Sequence, residues 1–220
     1  MTTWAMVIDL RKCVACETCK QVCDDGNRVP PGATWRRLSH IANTADDADS
    51  FYTIGCMQCK NAPCVAVCPT HATVQRRDGI VTVDSQRCIG CAACVLACPY
   101  MARSIVFEDR VMPHEMVFSH NRPRKRLDRS GTCTKCDFCA ARLERGLEKG
   151  LHPGVDPEAT PLCVLYCIGE AMSFGDLDDP RSNVSHLLRD QRTITLNPQA
   201  ATDPSVYYIP RDGGSIDADC

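Results

Sequence analysis

The chain has 220 residues, a formal net charge of −2 and 18 cysteines, but only 5 Phe, 5 Tyr and 2 Trp. So few aromatic side chains supply little material for a large apolar core, and so small a net charge argues against nucleic acid as the main partner. Cysteine makes up about 8% of the chain, close to the level at which bonds to sulfur replace part of the core.

The first predicted element is a short strand in the segment that reads MTTWAMVIDLRKC. This segment lacks the basic region and sustained apolar stretch of a secretory signal, and it has no twin-arginine motif. No apolar run in the sequence approaches the roughly 18 residues of a membrane-spanning helix. We therefore expect the chain to lie peripheral to a membrane through partner proteins, on the cytoplasmic rather than the periplasmic side.

Four cysteine groups follow along the chain, and the first and third share the spacing C-x2-C-x2-C-x3-C. The second group has the spacing C-x2-C-x4-C-x3-C, and the fourth has C-x2-C-x23-C-x3-C. In chain order, the members are Cys13, Cys16, Cys19 and Cys23; Cys56, Cys59, Cys64 and Cys68; Cys88, Cys91, Cys94 and Cys98; and Cys136, Cys139, Cys163 and Cys167.

This spacing is typical of cubane [4Fe–4S] clusters, in which each of the four irons takes one thiolate. Three closely spaced thiolates in a loop reach three corners of the cube, and the fourth cysteine of each group ligates the other cluster of a pair. A proline after that cysteine, as at Pro69 and Pro99, predicts the first turn of a helix there. Because such groups pair, four groups predict four [4Fe–4S] clusters.

Other uses of the cysteines explain the spacing less well. Zinc ribbons also contain C-x2-C pairs, but they do not account for a third cysteine at the same spacing followed by x3-C. Disulfides between such close neighbours would be strained, and they fit poorly with a chain that shows no export signal.

Two registers of the fourth group fit the cysteine count. In one, Cys136 and Cys139 are ligands and Cys133 is spare; in the other, Cys133 and Cys136 are ligands and Cys139 is idle. Cys220 lies in a polar tail and is expected to be a free thiol. Surface or packing roles are expected for three histidines, His71, His114 and His120.

The repeats extend to the residues around the cysteines. Segments AMVIDLRKC and IVTVDSQRC each predict a strand, with Asp9 and Asp84 four residues before a cysteine, and RSIVFED and AMSFGDL predict return strands. The expected fold is α+β, with two nested bacterial-type two-cluster ferredoxin-like units, long loops and a C-terminal arm. The outer unit comprises residues 1–50 with 104–180, the inner unit residues 51–103, and the C-terminal helix and tail residues 181–220.

Three further segments are interpreted from their composition. The basic stretch RPRKRLDR, residues 122–129, is expected to favour reduced clusters, to dock a partner or to be a solvated loop. Residues 147–161, rich in Pro and Gly, predict a surface loop. The C-terminal helix is expected to start near Ser182 with Pro180 in its first turn. Its apolar face would consist of Val184, Leu187 and Leu188.

The chain resembles the iron–sulfur electron-transfer subunits of dimethyl-sulfoxide-reductase-family molybdoenzymes. The resemblance covers nearly the whole chain and rests on the order of the four groups, on CMQCKNAPCVAVCPTHA, on RPRKRLDRSGTCTKCDFCAARL, and on FGDLDDPRSNVSHLL followed by PSVYYIP. The chain departs from the family pattern at Ile168, where a proline is usual after the cysteine, and in the long gap inside the fourth group.

The resemblance implies which cysteines share a cluster, and we name these sets one to four. Set one is Cys13, Cys16, Cys19 and Cys167; set two is Cys23, Cys136, Cys139 and Cys163; set three is Cys56, Cys59, Cys64 and Cys98; set four is Cys68, Cys88, Cys91 and Cys94. Set one would lie nearest a catalytic subunit with a bis-guanine-dinucleotide molybdopterin, and set four nearest a quinone-reactive membrane subunit. The chain itself would be non-catalytic. A free-standing soluble polyferredoxin is the alternative.

Overall fold

The computed structural model describes residues 2–41, 50–107 and 129–211, which form short strands and short helices in a mixed α and β arrangement. The strands are β1 Trp4–Asp9, β2 Arg36–Ile41, β3 Ser50–Gly55, β4 Thr73–Gln75, β5 Val81–Val83, β6 Ser104–Ile105, β7 Cys133–Thr134, β8 Met172–Asp176 and β9 Val206–Ile209. The helices are α1 Thr18–Asn27, α2 Pro63–Ala66, α3 Ala93–Leu96, α4 Ala140–Glu148, α5 Leu162–Leu165 and α6 Asn183–Asp190, with a 3₁₀ turn at Pro198–Ala200.

The first strand is the centre of a three-stranded sheet. β1 pairs antiparallel with β8, with Val7 opposite Ser173, and parallel with β9, with Val7 opposite Tyr207. Every residue of β1 is buried, as expected for a continuous apolar strand that is covered on both faces. The predicted return strand AMSFGDL is therefore β8, and the tail supplies a strand that the sequence analysis did not predict.

The other strands form three two-stranded ladders. β2 pairs with β3, β4 with β5, and β6 with β7, all antiparallel. The predicted strand IVTVDSQRC contains β5, and the predicted return strand RSIVFED contains the shorter β6. β6 pairs with β7, and Ile105 lies opposite Cys133. Pairing of the two strands therefore holds this cysteine in place.

The aspartates that precede the first and third groups form equivalent turns. The carbonyl oxygens of Asp9 and Asp84 accept hydrogen bonds from the N–H groups of Cys13, at 3.2 Å, and Cys88, at 3.0 Å. Their carboxylates accept from main-chain N–H groups two residues on, which is the usual aspartate turn. Each turn changes the direction of the chain as it leaves a strand and starts a cysteine loop.

The helix ends before the fourth cysteine in the second, third and fourth groups, whereas α1 of the first group starts before Cys19 and continues past Cys23. The prediction that the fourth cysteine begins a helix is therefore wrong. α2 ends before Cys68, α3 ends before Cys98, and α5 ends before Cys167. The x3 gap between the third and fourth cysteines is itself one helical turn, so the helix occupies the gap. Proline after the fourth cysteine disfavours continuation of that helix.

The C-terminal helix packs on the three-stranded sheet. Ser182 is its N-cap and accepts a hydrogen bond from the N–H of Ser185 at 3.2 Å. Pro180 therefore precedes the helix, and its predicted place in the first turn is wrong. The predicted apolar face is confirmed, because Val184 is fully buried against Val7 and Ile209 with Leu187 and Leu188 beside it.

The predicted loop at 147–161 is irregular only after α4 ends at Glu148, and its second half is anchored. Ala159 and Thr160 are buried, and the side chain of Arg142 donates to the carbonyl oxygen of Thr160 at 2.7 Å. Gly154, at φ +90°, lies against the backbone of Phe174 in β8. This loop therefore packs against β8 of the three-stranded sheet.

None of the helices in residues 2–41, 50–107 and 129–211 is long and apolar enough to cross a membrane.

Replacement of Gly154 by alanine is expected to destabilise the protein, because the new Cβ would lie 1.9 Å from the carbonyl oxygen of Phe174. Overpacking and left-handed strain together should cost about 2–5 kcal/mol. Gly150→Ala is the matched control, since Gly150 also has positive φ but nothing lies within 4 Å of the added carbon. Thermal unfolding of the full chain, followed by circular dichroism, compares the two. Equal midpoints would contradict the packing described for this loop.

Candidate iron–sulfur centres

Each cysteine loop is curled by residues in the left-handed conformation. In the first group these are Ala15, at φ 55°, and Glu17, at φ 57°; in the third group they are Gly90, at φ 67°, and Ala92, at φ 61°, at the equivalent positions. Left-handed conformations cost non-glycine residues about 1–2 kcal/mol, so the surroundings must impose them. Alternating conformations of this kind turn successive N–H groups inward and form anion-binding nests, which are common at iron–sulfur sites.

Three of the four cysteine sets line cavities. The members of set one line the first cavity together with Ile8 and Thr53. The members of set three line a second cavity with Tyr100 and Arg103, and those of set four line a third cavity that also contains Cys133. Each of these three sets draws its cysteines from two different sequence groups.

The members of set two are all buried and lie where α1 meets α5. The side-chain amide of Asn27 is within hydrogen-bonding distance of the sulfur of Cys23, at 3.4 Å, and of Cys139, at 3.6 Å. Gly26 permits the approach of the two helices, because a Cβ there would lie 2.0 Å from Leu162. The third cysteine of the fourth group, Cys163, is thereby brought towards the fourth cysteine of the first.

Cys133 lies apart from the other cysteines of its segment. Its sulfur is 3.6 Å from the sulfur of Cys94, and its N–H donates to the sulfur of Cys88 at 3.3 Å. Cys139, by contrast, shares the amide of Asn27 with Cys23. In the described residues, Cys133 and Cys139 thus contact cysteines of different sets.

Electrostatic contacts link set one to set two, set two to set three, and set three to set four. Burial raises the pKa of Cys163 of set two, and the neighbouring Cys19 of set one raises it further. Burial raises the pKa of Cys136, also of set two, and Cys56 of set three is among its charged neighbours. The guanidinium of Arg103 then faces sets three and four together.

Burial keeps several thiols neutral in the absence of a metal. It raises the pKa of Cys23 and of Cys59 to about 12, since an isolated thiolate is poorly solvated there. Only the thiolate ligates iron, so cluster binding must release these protons and supply positive charge in their place.

A buried arginine lies between sets one and two. Arg36 is 3% exposed, and its guanidinium donates to the hydroxyl of Thr53 at 3.4 Å and to the sulfur of Met6 at 3.5 Å. Its Nε has no hydrogen-bond partner. Burial alone would lower the pKa of Arg36, but the surrounding thiolates, Cys163 first, outweigh this effect and raise it.

Two more buried cations lie at the other junctions. Lys135, 3% exposed, donates to the carbonyl oxygens of Val81 and Cys136. Burial raises the pKa of Cys64 of set three, and Lys135 partly opposes that rise. Arg103, 5% exposed, donates to the sulfur of Cys64 at 3.0 Å and to the hydroxyl of Thr73 at 3.2 Å. Each junction between consecutive sets thus contains one buried positive charge.

These cations fit an anionic iron–sulfur cluster at every set. Among the described residues, no carboxylate forms an ion pair with Arg36, Lys135 or Arg103. Buried charges need a partner, and the cysteine thiolates are the anions within reach. In the same residues no three Cys, His, Asp or Glu side chains are arranged for a single metal ion.

Equivalent hydrogen bonds to sulfur occur at the fourth cysteines of the second and fourth groups. The N–H of Thr73 donates to Cys68 at 3.4 Å, and the N–H of Ala171 donates to Cys167 at 3.3 Å. Both donors follow the fourth cysteine of a group by four or five residues. Such bonds stabilise the thiolate and are one means by which proteins adjust cluster potentials.

The three junction cations were not predicted from the sequence. Lys135 carries a signal, since it precedes a cysteine as Lys12 and Arg87 do, but Arg36 and Arg103 lie in segments without a motif. The exposed His71 is not among the residues that line the cavities. The remaining predicted features, His114, His120, the basic stretch up to residue 128 and Cys220, lie outside the described residues.

Comparison with known proteins is consistent with this geometry. A family described as a 4Fe-4S dicluster domain matches residues 48–114. A selenate reductase subunit of Mesobacillus selenatarsenatis is 36% identical, over 94% of this chain and 71% of the relative. A tetrathionate reductase subunit of Salmonella typhimurium is 36% identical, over 97% and 74%. A polysulfide reductase component of Wolinella succinogenes is 30% identical, over 98% of each protein.

Removal of the charge of Arg36 is expected to lower the midpoint potentials of the clusters at sets one and two. A nearby positive charge stabilises the reduced, more negative state, so Arg36→Gln should shift these potentials negatively by roughly 60 mV or more, a tenfold change in a one-electron equilibrium. Redox titration followed by electron paramagnetic resonance measures the shift.

Arg36→Lys keeps the charge and is expected to retain most of the wild-type potential. Arg37→Gln is the neighbouring control, because that side chain donates to the carbonyl oxygens of Tyr100 and Met101. Unchanged potentials in Arg36→Gln, or an equal shift at all four clusters, would show that Arg36 has no local effect.

Proposed function

This chain is a member of the family of iron–sulfur electron-transfer subunits of dimethyl-sulfoxide-reductase-type molybdoenzyme complexes, and we propose that sets one to four each hold one of its [4Fe–4S] clusters. A bound cluster accepts and releases one electron at a time. The chain is a non-catalytic subunit, and its residues bind, separate and electrostatically adjust the clusters.

Cysteine sharing between groups supports the proposed ligand sets. Cys19 lines the first cavity, while Cys23, one helical turn further along α1, lies with set two. In the same way, Cys64 lines the second cavity and Cys68 the third. The register that uses Cys136 and Cys139 is proposed for set two.

The single observation that carries the proposal is the gradient of exposure along the four sets. Set two is buried throughout, and set three has no exposed cysteine, whereas Cys16 of set one and Cys91 of set four are exposed. An electron path needs protected centres in its middle and accessible centres where electrons enter and leave. The order of the sets therefore matches a path with two ends.

Apolar side chains surround both ends and support partner docking there. Val14 and Ile168, 64% and 72% exposed, flank set one, and Ile89 and Leu96, 66% and 88% exposed, flank set four. We propose that set one faces a molybdopterin catalytic subunit and set four a quinone-reactive membrane subunit. The chain would then be attached to the membrane through that partner, on the cytoplasmic side.

A free-standing polyferredoxin is the second candidate, and the relatives argue against it. All three of the relatives above are named as components of a reductase. A soluble carrier also has no need of an apolar surface at each end of its electron path.

The finer division of the fold is proposed as two nested ferredoxin-like units. The pairing of β4 with β5 supports an inner unit at residues 51–103, and the pairing of β1 with β8 supports an outer unit from residues 1–50 and 104–180. Within the proposed C-terminal part, 181–220, β9 joins the outer sheet, so this part would brace the outer unit.

An anaerobic pull-down of the full chain tests the proposed function. We expect about sixteen irons and sixteen sulfides per chain, with a large molybdopterin-containing protein in the eluate. The relatives are named for different substrates. The identity of the co-purified protein would therefore indicate the substrate of the complex that contains this chain. Iron and sulfide on a solitary chain would favour the soluble carrier, and zinc without sulfide would contradict both.

A charge introduced near set one or near set four should disrupt docking of only one of the two proposed partners. Ile168→Asp is expected to weaken co-purification of the catalytic subunit at least tenfold, about 1.4 kcal/mol, and Leu96→Asp to do the same for the membrane subunit. Val155→Asp is the control, because Val155 is 73% exposed but lies in the 147–161 loop. Loss of both partners from either variant would argue against separate docking ends.

A further inference from the structure

The cavity of set four contains one more cysteine than a cubane cluster requires. Its lining includes Cys68, Cys88, Cys91 and Cys94, and also Cys133 from β7. Cys133 is 3% exposed, and it belongs to none of the proposed ligand sets. It is therefore a buried thiol inside a metal-binding cavity, without an assigned role.

Three contacts hold Cys133 at this position. Its sulfur lies 3.6 Å from the sulfur of Cys94, and its N–H donates to the sulfur of Cys88 at 3.3 Å. The guanidinium of Arg103 also lies 3.6 Å from the sulfur of Cys133. The β6–β7 ladder pairs Ile105 with Cys133, so the position is set by backbone as well as by side chains.

Set three provides a natural comparison without the extra thiol. Cys64 and Cys94 occupy equivalent places, since each is the third cysteine of its group, the second residue of a four-residue helix and 8% exposed. In the described residues, the cavity of set three is lined by its own four cysteines and by no other. The two sites thus differ in the presence of a fifth sulfur.

We propose that Cys133 is a reserve ligand for the cluster at set four and replaces Cys94 when Cys94 is lost. The proposal rests on the ligand sets proposed above. Where Cys94 is replaced by alanine, a bond from iron to Cys133 forms at the open position, and Cys133 releases its proton to solvent. Where Cys94 itself dissociates, its iron–sulfur bond breaks, and the departing thiolate takes that proton. No electron is transferred, so the exchange needs neither oxidant nor reductant. The guanidinium of Arg103, 3.6 Å from the sulfur of Cys133, places a positive charge beside the proposed ligand.

Alanine variants of the two equivalent cysteines test the proposal in the full chain, purified anaerobically with its partners. Wild type is expected to contain about sixteen irons. Cys64→Ala should lose between one and four irons, whereas Cys94→Ala and Cys133→Ala should each keep the wild-type content. Cys94→Ala/Cys133→Ala should lose as much iron as Cys64→Ala. The reduced spectrum of Cys94→Ala should retain four interacting clusters.

An equal loss of iron from Cys94→Ala and from the double variant would overturn the proposal. A wild-type chain without iron and sulfide would instead overturn the proposed function, so the two failures are distinguishable. Should Cys94→Ala fail to fold, Cys94→Ser preserves size and polarity. Its electron paramagnetic resonance spectrum should match wild type and differ from that of Cys94→Ser/Cys133→Ala, because serine then supplies an oxygen ligand. Identical spectra from these two variants would also overturn the proposal.

Discussion

The arrangement of this protein depends on one constraint, the single helical turn between the third and fourth cysteines of each group. A turn of four residues places two sulfurs on one side of a helix but about 6 Å apart along its axis. In α1, Cys19 therefore faces the first cavity while Cys23 lies with set two. α2, α3 and α5 repeat the arrangement, so each short helix joins two neighbouring sets.

Charge is the second element that the four sets share. Thiolates, and the clusters that they would hold, are anionic. Their burial in the interior of the fold is unfavourable unless positive charge accompanies it. Arg36, Lys135 and Arg103 provide that charge at the three junctions. Because each cation faces two sets, it would affect two clusters at once and raise both of their potentials.

The third element is the contrast between a sealed middle and two accessible ends. The three-stranded sheet includes β9 from the tail. The C-terminal helix and the anchored loop at 147–161 pack against this sheet. Loops at the ends remain open, with Cys16 and Cys91 exposed among apolar neighbours. Stability and the proposed partner recognition thus involve different parts of the same small chain.

The sequence by itself determined the number of cysteine groups, their chemistry and the equivalent aspartates before the first and third loops, because cysteine spacing and aspartate turns act within a few residues. It also identified the apolar face of α6. Tertiary structure alone decided that Cys133 lies beside Cys94, that Arg36 and Arg103 enter the junctions between sets, and that the tail forms a strand next to β1. These features join residues far apart in the chain, and no local spacing records which distant segments pack together.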